Sequence, residues 1–468
     1  MSDPVLAPGM PGPYRPLTVT YPSFAQARRA FQVGTDTPRA FLERGLERLA
    51  AAEPQVQAFV CLDLAAARKA ADASNARWRE GKPLSPVDGL PLAVKDCFDV
   101  QGFPTRVNSA LFADAPLACF DAAHVEALRR GGAVVLGKTV TTELTMAAPG
   151  PTMNPWDLRR TPGGSSSGSA AAVAAGMVPL ATGSQVRGSG IRPASICGVT
   201  ALKPTFGALN RHGGFDPSPS LNHLVLLGGH LEDIWQAAHA IAQDVGGDPG
   251  FRPLAGGPDL PVPRKPLRLA RQRTFGWPLT DEMSKEAFKA LLRRLAAFGV
   301  DVIEPEASEE LAAYEAATTR TPEWFFNLML WEIRSPMRAC RAMPPEAMSE
   351  TMRGHIAKAE ALTVDDYCNA LAAQNDLRTK HRALRGKVDG FVTLAHIGPG
   401  QFGQPLLGTP WYNDPSSAIG APTLNLPLLA VDNAPLGIQL MGFEGEDRDL
   451  VAMAGWIVDA FARPDKAP

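Results

Sequence analysis

The sequence predicts an α/β fold: a mixed, mostly parallel central sheet sandwiched between helices, with a helical insertion late in the chain. Three observations carry this expectation. Short apolar runs alternate with segments of helical periodicity, as in helices laid on a sheet. Ala133–Gly137 is apolar throughout, as a strand covered on both faces should be. Residues 306–385 break the alternation, with only helical pattern, many charges and the aromatics Trp324, Phe325, Phe326 and Trp331. A single domain over 1–468 is expected, with N-terminal helices in 20–80, a core in 85–215 and the insertion inside the same domain.

Taken in order, residues 1–20 are rich in Pro and Gly and are expected to be loosely tied down. Residues 36–80 read as helices. Thr37-Pro38 supplies an N-cap and a first-turn proline, and Phe41, Leu42, Leu46 and Leu49 follow at helical spacing. Leu90–Val94 is the first strand and runs into Lys95-Asp96. His124–Gly131 is a helix closed by Gly131-Gly132, followed by the strand Ala133–Gly137 and another at Pro179–Thr182. The alternation continues with a helix at Leu231–Gln243, a strand at Leu267–Ala270, a helix at Asp281–Phe298 and a strand at Val300–Ile303. Strands at Val388–Thr393 and Pro435–Met441 and a helix at Leu450–Phe461 complete the pattern.

The totals narrow the function. Apolar residues make up 45% of the 468 and the net charge is −2, which argues against a nucleic-acid footprint or a polybasic membrane patch. The start, Met1 to Pro16, lacks a basic segment followed by an apolar one, and Ala170–Leu180 is too short to span a membrane. A cytoplasmic protein with no membrane or nucleic-acid partner, as a monomer or homodimer, is the expectation. Cys61, Cys97, Cys119, Cys197, Cys340 and Cys368 form no CxxC pair and are expected to be reduced and buried. The eight histidines show no HxxxH spacing, so no metal is expected, and the acyl chemistry read below needs no cofactor.

One stretch stands apart: Gly163-Gly164-Ser165-Ser166-Ser167-Gly168-Ser169, feeding the small-residue helix Ala170–Gly176. It offers bare backbone and hydroxyls, which suit anion holding or acyl chemistry. A P-loop is disfavoured because no lysine follows these glycines. Two further polar features sit in apolar surroundings: Lys95 ending its strand, and Ser189 between Gly188 and Gly190. Read without context, Lys95 is a strand-end lysine reaching solvent, Ser165 and Ser166 cap a helix, and Ser189 belongs to a plain glycine turn.

Together these blocks resemble the amidase signature family. The resemblance runs from Gly89-Leu90-Pro91-Leu92-Ala93-Val94-Lys95-Asp96 through Asn154-Pro155-Trp156-Asp157, the glycine–serine loop, Gly188-Ser189 and Pro193-Ala194-Ser195 to Leu202-Lys203-Pro204-Thr205. It marks 85–215 as the signature core. It implies a Ser–Ser–Lys triad with Ser189 as nucleophile, Ser165 as bridge in a cis conformation and Lys95 as ultimate base. It also implies an oxyanion hole on the backbone N–H groups of Val186, Arg187, Gly188 and Ser189. The logic agrees with general chemistry: a serine needs a proton acceptor, and burial lets a lysine be one. The chain departs from the commonest family form at Gln185-Val186-Arg187 and at Asn222. A subset of the family shares Gln185 and Arg192.

Arg192, Gly164 and Met146 are candidate substrate contacts. Arg192 has two open readings, a bidentate partner for a substrate carboxylate or a brace for the loop. The insertion and the loops near 206–220 and 396–415 are expected to wall the pocket, with the aromatics either core or mouth, together with Trp411 and Tyr412. The expected activity is hydrolysis of an amide, aryl amide, carbamate or ester of a small, largely apolar substrate. The alternative is an amidotransferase-type subunit that works with partners.

Overall fold

The computed structural model describes residues 3–403 and 407–463, without the side chains at 339–341, that of Cys340 among them. Its strands are β1 (Phe59–Leu62), β2 (Pro91–Lys95), β3 (Val134–Thr139), β4 (Leu180–Gln185), β5 (Thr200–Lys203), β6 (His223–Gly228), β7 (Arg268–Arg271), β8 (Asp301–Ile303), β9 (Gly390–Leu394), β10 (Thr423–Val431) and β11 (Ala434–Met441). They form an 11-stranded sheet in the order β1-β3-β2-β4-β6-β5-β10-β11-β9-β7-β8. Helices cover both faces, so the α/β sandwich expected from the alternation is present.

The balance within the sheet differs from expectation. Only the β2–β3, β2–β4, β7–β8 and β7–β9 pairings are parallel. The pairings that knit the middle, β4–β6, β6–β5, β5–β10, β10–β11 and β11–β9, are all antiparallel. The sheet is therefore mixed but mainly antiparallel among the described residues. The reason lies in strands that the periodicity does not mark. β5, β6 and β10 are buried along nearly their whole length, so they lack the alternation that marks a half-exposed strand. β1 is only four residues long and sits between two helices.

Residues 3–20, the described part of the N-terminal stretch, are also not loose. Tyr14 is buried, packs edge-to-face on Trp156 at 4.8 Å and donates its hydroxyl to the Pro427 carbonyl. The Ala7 N–H bonds the Pro155 carbonyl at 2.9 Å. Proline and glycine here shape an ordered strap rather than a free tail.

Two features place the chemistry. β2 runs between β3 and β4 with all five residues buried, so Lys95 at its end is carried into the interior. The helix Ser167–Ala174 is buried on every side, which only small side chains allow. At Gly168 a Cβ would lie 2.2 Å from the Ala58 carbonyl oxygen and 2.5 Å from the Val140 nitrogen, so this helix start requires glycine.

Candidate active site

Lys95 does not reach solvent. It is fully buried, and its Nζ donates to Ser165 Oγ at 2.7 Å and to Ser184 Oγ at 2.8 Å. Burial, opposed by the Cys97 thiol and assisted by Arg192, brings its ammonium down to about 8 from an ordinary 10.5. The lysine thus loses its proton readily while two hydroxyls hold its amine in place. Ser184 is not among the sequence-derived candidates; it lies on β4, which runs parallel to β2, and the sequence pattern ends that strand at Thr182.

The Gly164–Ser165 peptide bond is cis. Ser166 does not cap the following helix; its hydroxyl lies within 3.3 Å of the Ser184 backbone nitrogen and carbonyl oxygen instead. The Ser166 N–H bonds the Ser189 carbonyl at 3.0 Å, which ties the two serine-bearing loops together. Ser189 and Ser165 line one cavity of about 240 Å³. Among the described residues their side chains make no direct hydrogen bond to each other.

The turn Val186–Ser189 is held from outside. Gln185 Oε1 accepts from the Gly190 and Ile191 N–H groups at 3.0 and 2.9 Å, and Gln185 Nε2 donates to Ser417 Oγ at 3.0 Å. Ser417 Oγ donates in turn to the Arg187 carbonyl at 2.7 Å. Gly188 passes so close to Asn413 that a Cβ would sit 2.4 Å from its Oδ1. Within the described residues, none of the backbone N–H groups at 186–189 donates to a turn, loop or side-chain acceptor. The turn therefore presents a row of unspent donors beside the cavity that holds Ser189. Ser417 and Asn413 lie far away in sequence, on and before the short helix Asp414–Ile419, and no local motif announces them.

Arg192 lines the cavity, but its guanidinium is turned onto carbonyls. Nε and Nη2 donate to the Gly164 oxygen, and Nη1 donates to the Gly408 oxygen at 2.9 Å. Of its two open readings, the brace is the one formed. Burial, together with the nearby positive charge of Arg187, lowers it to about 9. Of the other two candidate substrate contacts, Met146 is among the residues lining the cavity, whereas Gly164 is not among them and gives its carbonyl to Arg192. The rest of the lining is mainly apolar: Val186, Pro217, Phe326, Met329, Leu407 and Pro410, with Thr351 and His355 from the insertion. Both expected wall loops and the insertion contribute; residues 404–406 of the second loop lie outside the described residues.

The aromatics divide. Phe325 is core, Phe326 lines the cavity, Trp331 stacks on Tyr367, and Tyr412 is buried with its hydroxyl on Thr280. Of the five cysteines described, all are free, but Cys119 and Cys368 are exposed rather than buried. Among the described residues, no group of three or more His, Cys, Asp or Glu is arranged to hold a metal, and no helix is long and apolar enough to cross a membrane.

The pattern of a buried lysine on a cis-linked serine, beside a glycine-flanked serine, agrees with the likeness to known proteins. The family model for Amidase matches residues 40–451. This chain belongs to the amidase family. It is 38% identical over 288 residues to a glutamyl-tRNA(Gln) amidotransferase subunit of Acidothermus cellulolyticus, covering 58% of this chain and 56% of that protein. It is 40% identical over 237 residues to AtzE, a 1-carboxybiuret hydrolase subunit of Pseudomonas sp. strain ADP, covering 49% of this chain and 51% of that one. The chain thus spans about half the length of the curated relatives it matches. A crystal structure of an amidase superposes with a TM-score of 0.79 at 30% identity, covering 93% of this chain and 99% of the other. A chain from the structure of a vestigial protein complex described as revealing the evolutionary origins of an s-triazine catabolic enzyme superposes with a TM-score of 0.82 at 27% identity, over 94% and 98% of the two chains.

Proposed function

We propose that this amidase-family chain hydrolyses a C–N bond of a small, largely apolar amide through Ser189, with Ser165 and Lys95 as its proton relay. The observation that supports this reading best is the fully buried Lys95 amine, 2.7 Å from Ser165 Oγ, beneath the cavity that Ser189 lines. Ser189 Oγ attacks the carbonyl carbon and passes its proton through Ser165 to neutral Lys95. The carbonyl oxygen becomes an anion against the N–H groups of 186–189; one such donor is typically worth about 10²–10³ in rate. The tetrahedral intermediate then collapses. The leaving amine takes a proton back along the relay, and the acyl group stays on Ser189 until water repeats the sequence. The relay needs Ser189 to turn toward Ser165, a closing of distance that commonly accompanies substrate binding.

The cavity of about 240 Å³, walled by Met146, Phe326, Met329, Leu407 and Pro410, suits a compact alkyl or aryl group. Carbamates and esters present the same carbonyl and are expected as further substrates. A fluorophosphonate probe followed by peptide mapping tests the assignment. The adduct is expected on Ser189 and is expected to vanish in Ser189→Ala, whose turnover is lost while folding is kept. An adduct elsewhere, or near-normal turnover in that variant, overturns it.

A second reading has one observation behind it, the relatives that are amidotransferase subunits. It predicts stable co-purification with other subunits and release of ammonia from glutamine. Full amidase activity of the chain alone, without glutaminase activity, counts against it.

A further inference from the structure

Arg187 precedes the proposed nucleophile by two positions, and its side chain lines the same cavity as Ser189 and Ser165. One edge of its guanidinium is committed. Nε donates to Asp414 Oδ1 at 2.9 Å, and Nη2 donates to Asp414 Oδ2. Asp414 is fully buried at the start of the helix Asp414–Ile419; burial pushes its carboxyl up and the Arg187 charge opposes this. The guanidinium carbon lies 5.3 Å from the ring centres of both Phe326 and Trp411, which fix the plane of the group. The remaining edge is different. Among the described residues Nη1 has no hydrogen-bond partner, and it is not among the buried polar atoms left without one. It is an oriented donor pair, not fully buried, on a residue that lines a cavity whose other walls are largely apolar.

We propose that Arg187 is a specificity-determining residue, its Nη1 edge binding an uncharged oxygen acceptor on the substrate, such as the carbonyl of a second amide, urea or carbamate unit. This rests on the cavity being the one in which Ser189 reacts. An uncharged acceptor is favoured because the guanidinium already shares its charge with Asp414. A substrate carboxylate would have to share Arg187 with Asp414, because the other cation of the cavity, Arg192, has its guanidinium nitrogens on backbone carbonyls and cannot pair with it. The substrate this predicts has an apolar body and two carbonyls: one for Ser189 and one for Arg187.

The test compares three acyl p-nitroanilides of equal length: a plain alkyl chain, the same chain with an internal amide carbonyl, and one with a carboxylate in its place. Wild-type kcat/KM is expected to favour the amide-bearing chain over the alkyl chain roughly ten- to hundredfold, the usual worth of a hydrogen bond to a charged donor. Arg187→Met leaves Asp414 buried and unpaired, so Arg187→Met/Asp414→Asn is made alongside it. The preference ratio is expected to fall to near one in the double variant, and Arg187→Lys to recover part of it. A ratio is read because general damage to the turn lowers both substrates alike. An unchanged ratio in the double variant, equal wild-type rates on the two uncharged chains, or a preference for the carboxylate overturns the inference. Failure of wild type on every anilide, or a probe adduct away from Ser189, overturns instead the assignment of Ser189 on which it rests.

Discussion

At Lys95 two demands are met by the same burial. The chemistry needs an uncharged amine near neutral pH, and the fold must bury that amine completely. Burial lowers its pKa to about 8 in the folded chain, against 10.5 when exposed. Between those values the unfolded chain holds a proton that the folded chain has given up. Stability contributed at this site therefore rises as pH climbs from 8 to 10.5, and below 8 the full cost of burying a charge is present. A shift of this size corresponds to about 3 kcal/mol. Lys95→Met removes that cost along with two hydrogen bonds to Ser165 and Ser184, each worth about 1 kcal/mol. The variant is expected to be inactive, and its melting temperature relative to wild type should be higher at about pH 7 than at about pH 10. Thermal melts at both values check this; a difference independent of pH would contradict it.

Among the elements, the short helix Asp414–Ile419 acts on the active turn from more than two hundred residues along the chain. Ser417 receives the Gln185 amide and supports the Arg187 carbonyl, so one hydroxyl fixes both ends of the turn. Ser417→Ala leaves the buried Gln185 Nε2 unpaired and frees that carbonyl. The expected result is a stability loss of about 1–3 kcal/mol and a fall in kcat with KM little changed. Steady-state kinetics and denaturant unfolding would show it, and unaltered kcat would remove the helix from the account. The glycine–serine loop is readable in the sequence because its chemistry is local: small residues, hydroxyls and a following alanine helix. Lys95 is readable only through the family resemblance, because an apolar strand ending in lysine, taken alone, reads as one reaching solvent. Ser417, Asn413 and Asp414 are not, because their roles arise only when the late part of the chain folds back, with β10 beside β5. Ser184 escapes for a narrower reason. β4 is buried on both faces, so its polar residues carry no period that marks them as strand.

Over the whole molecule, the sheet's middle is closed by segments distant in sequence. β5 and β10 pair although a long stretch of chain separates them, and the N-terminal strap packs behind them. That long-range closure explains why the α/β class can be read from alternation while the strand order cannot. Periodicity reports burial, and it is silent on direction and partner. The mostly parallel expectation fails for that reason. The strap itself is open to test. Tyr14→Ala removes a buried ring from Trp156 and an O–H bond to Pro427, and should cost about 3–5 kcal/mol. Equilibrium unfolding measures this, and a loss under about 1 kcal/mol would mean the strap is not integral to the fold.

The relay from Ser189 through Ser165 to a neutral lysine is tested most directly by the pH dependence of kcat/KM between about pH 6 and 10. The rate is expected to climb with pH as Lys95 loses its proton, with a single ascending limb near the value of about 8 set by its burial. A flat profile, or a limb near the value of about 6.5 that an ordinary imidazole would give, would contradict it.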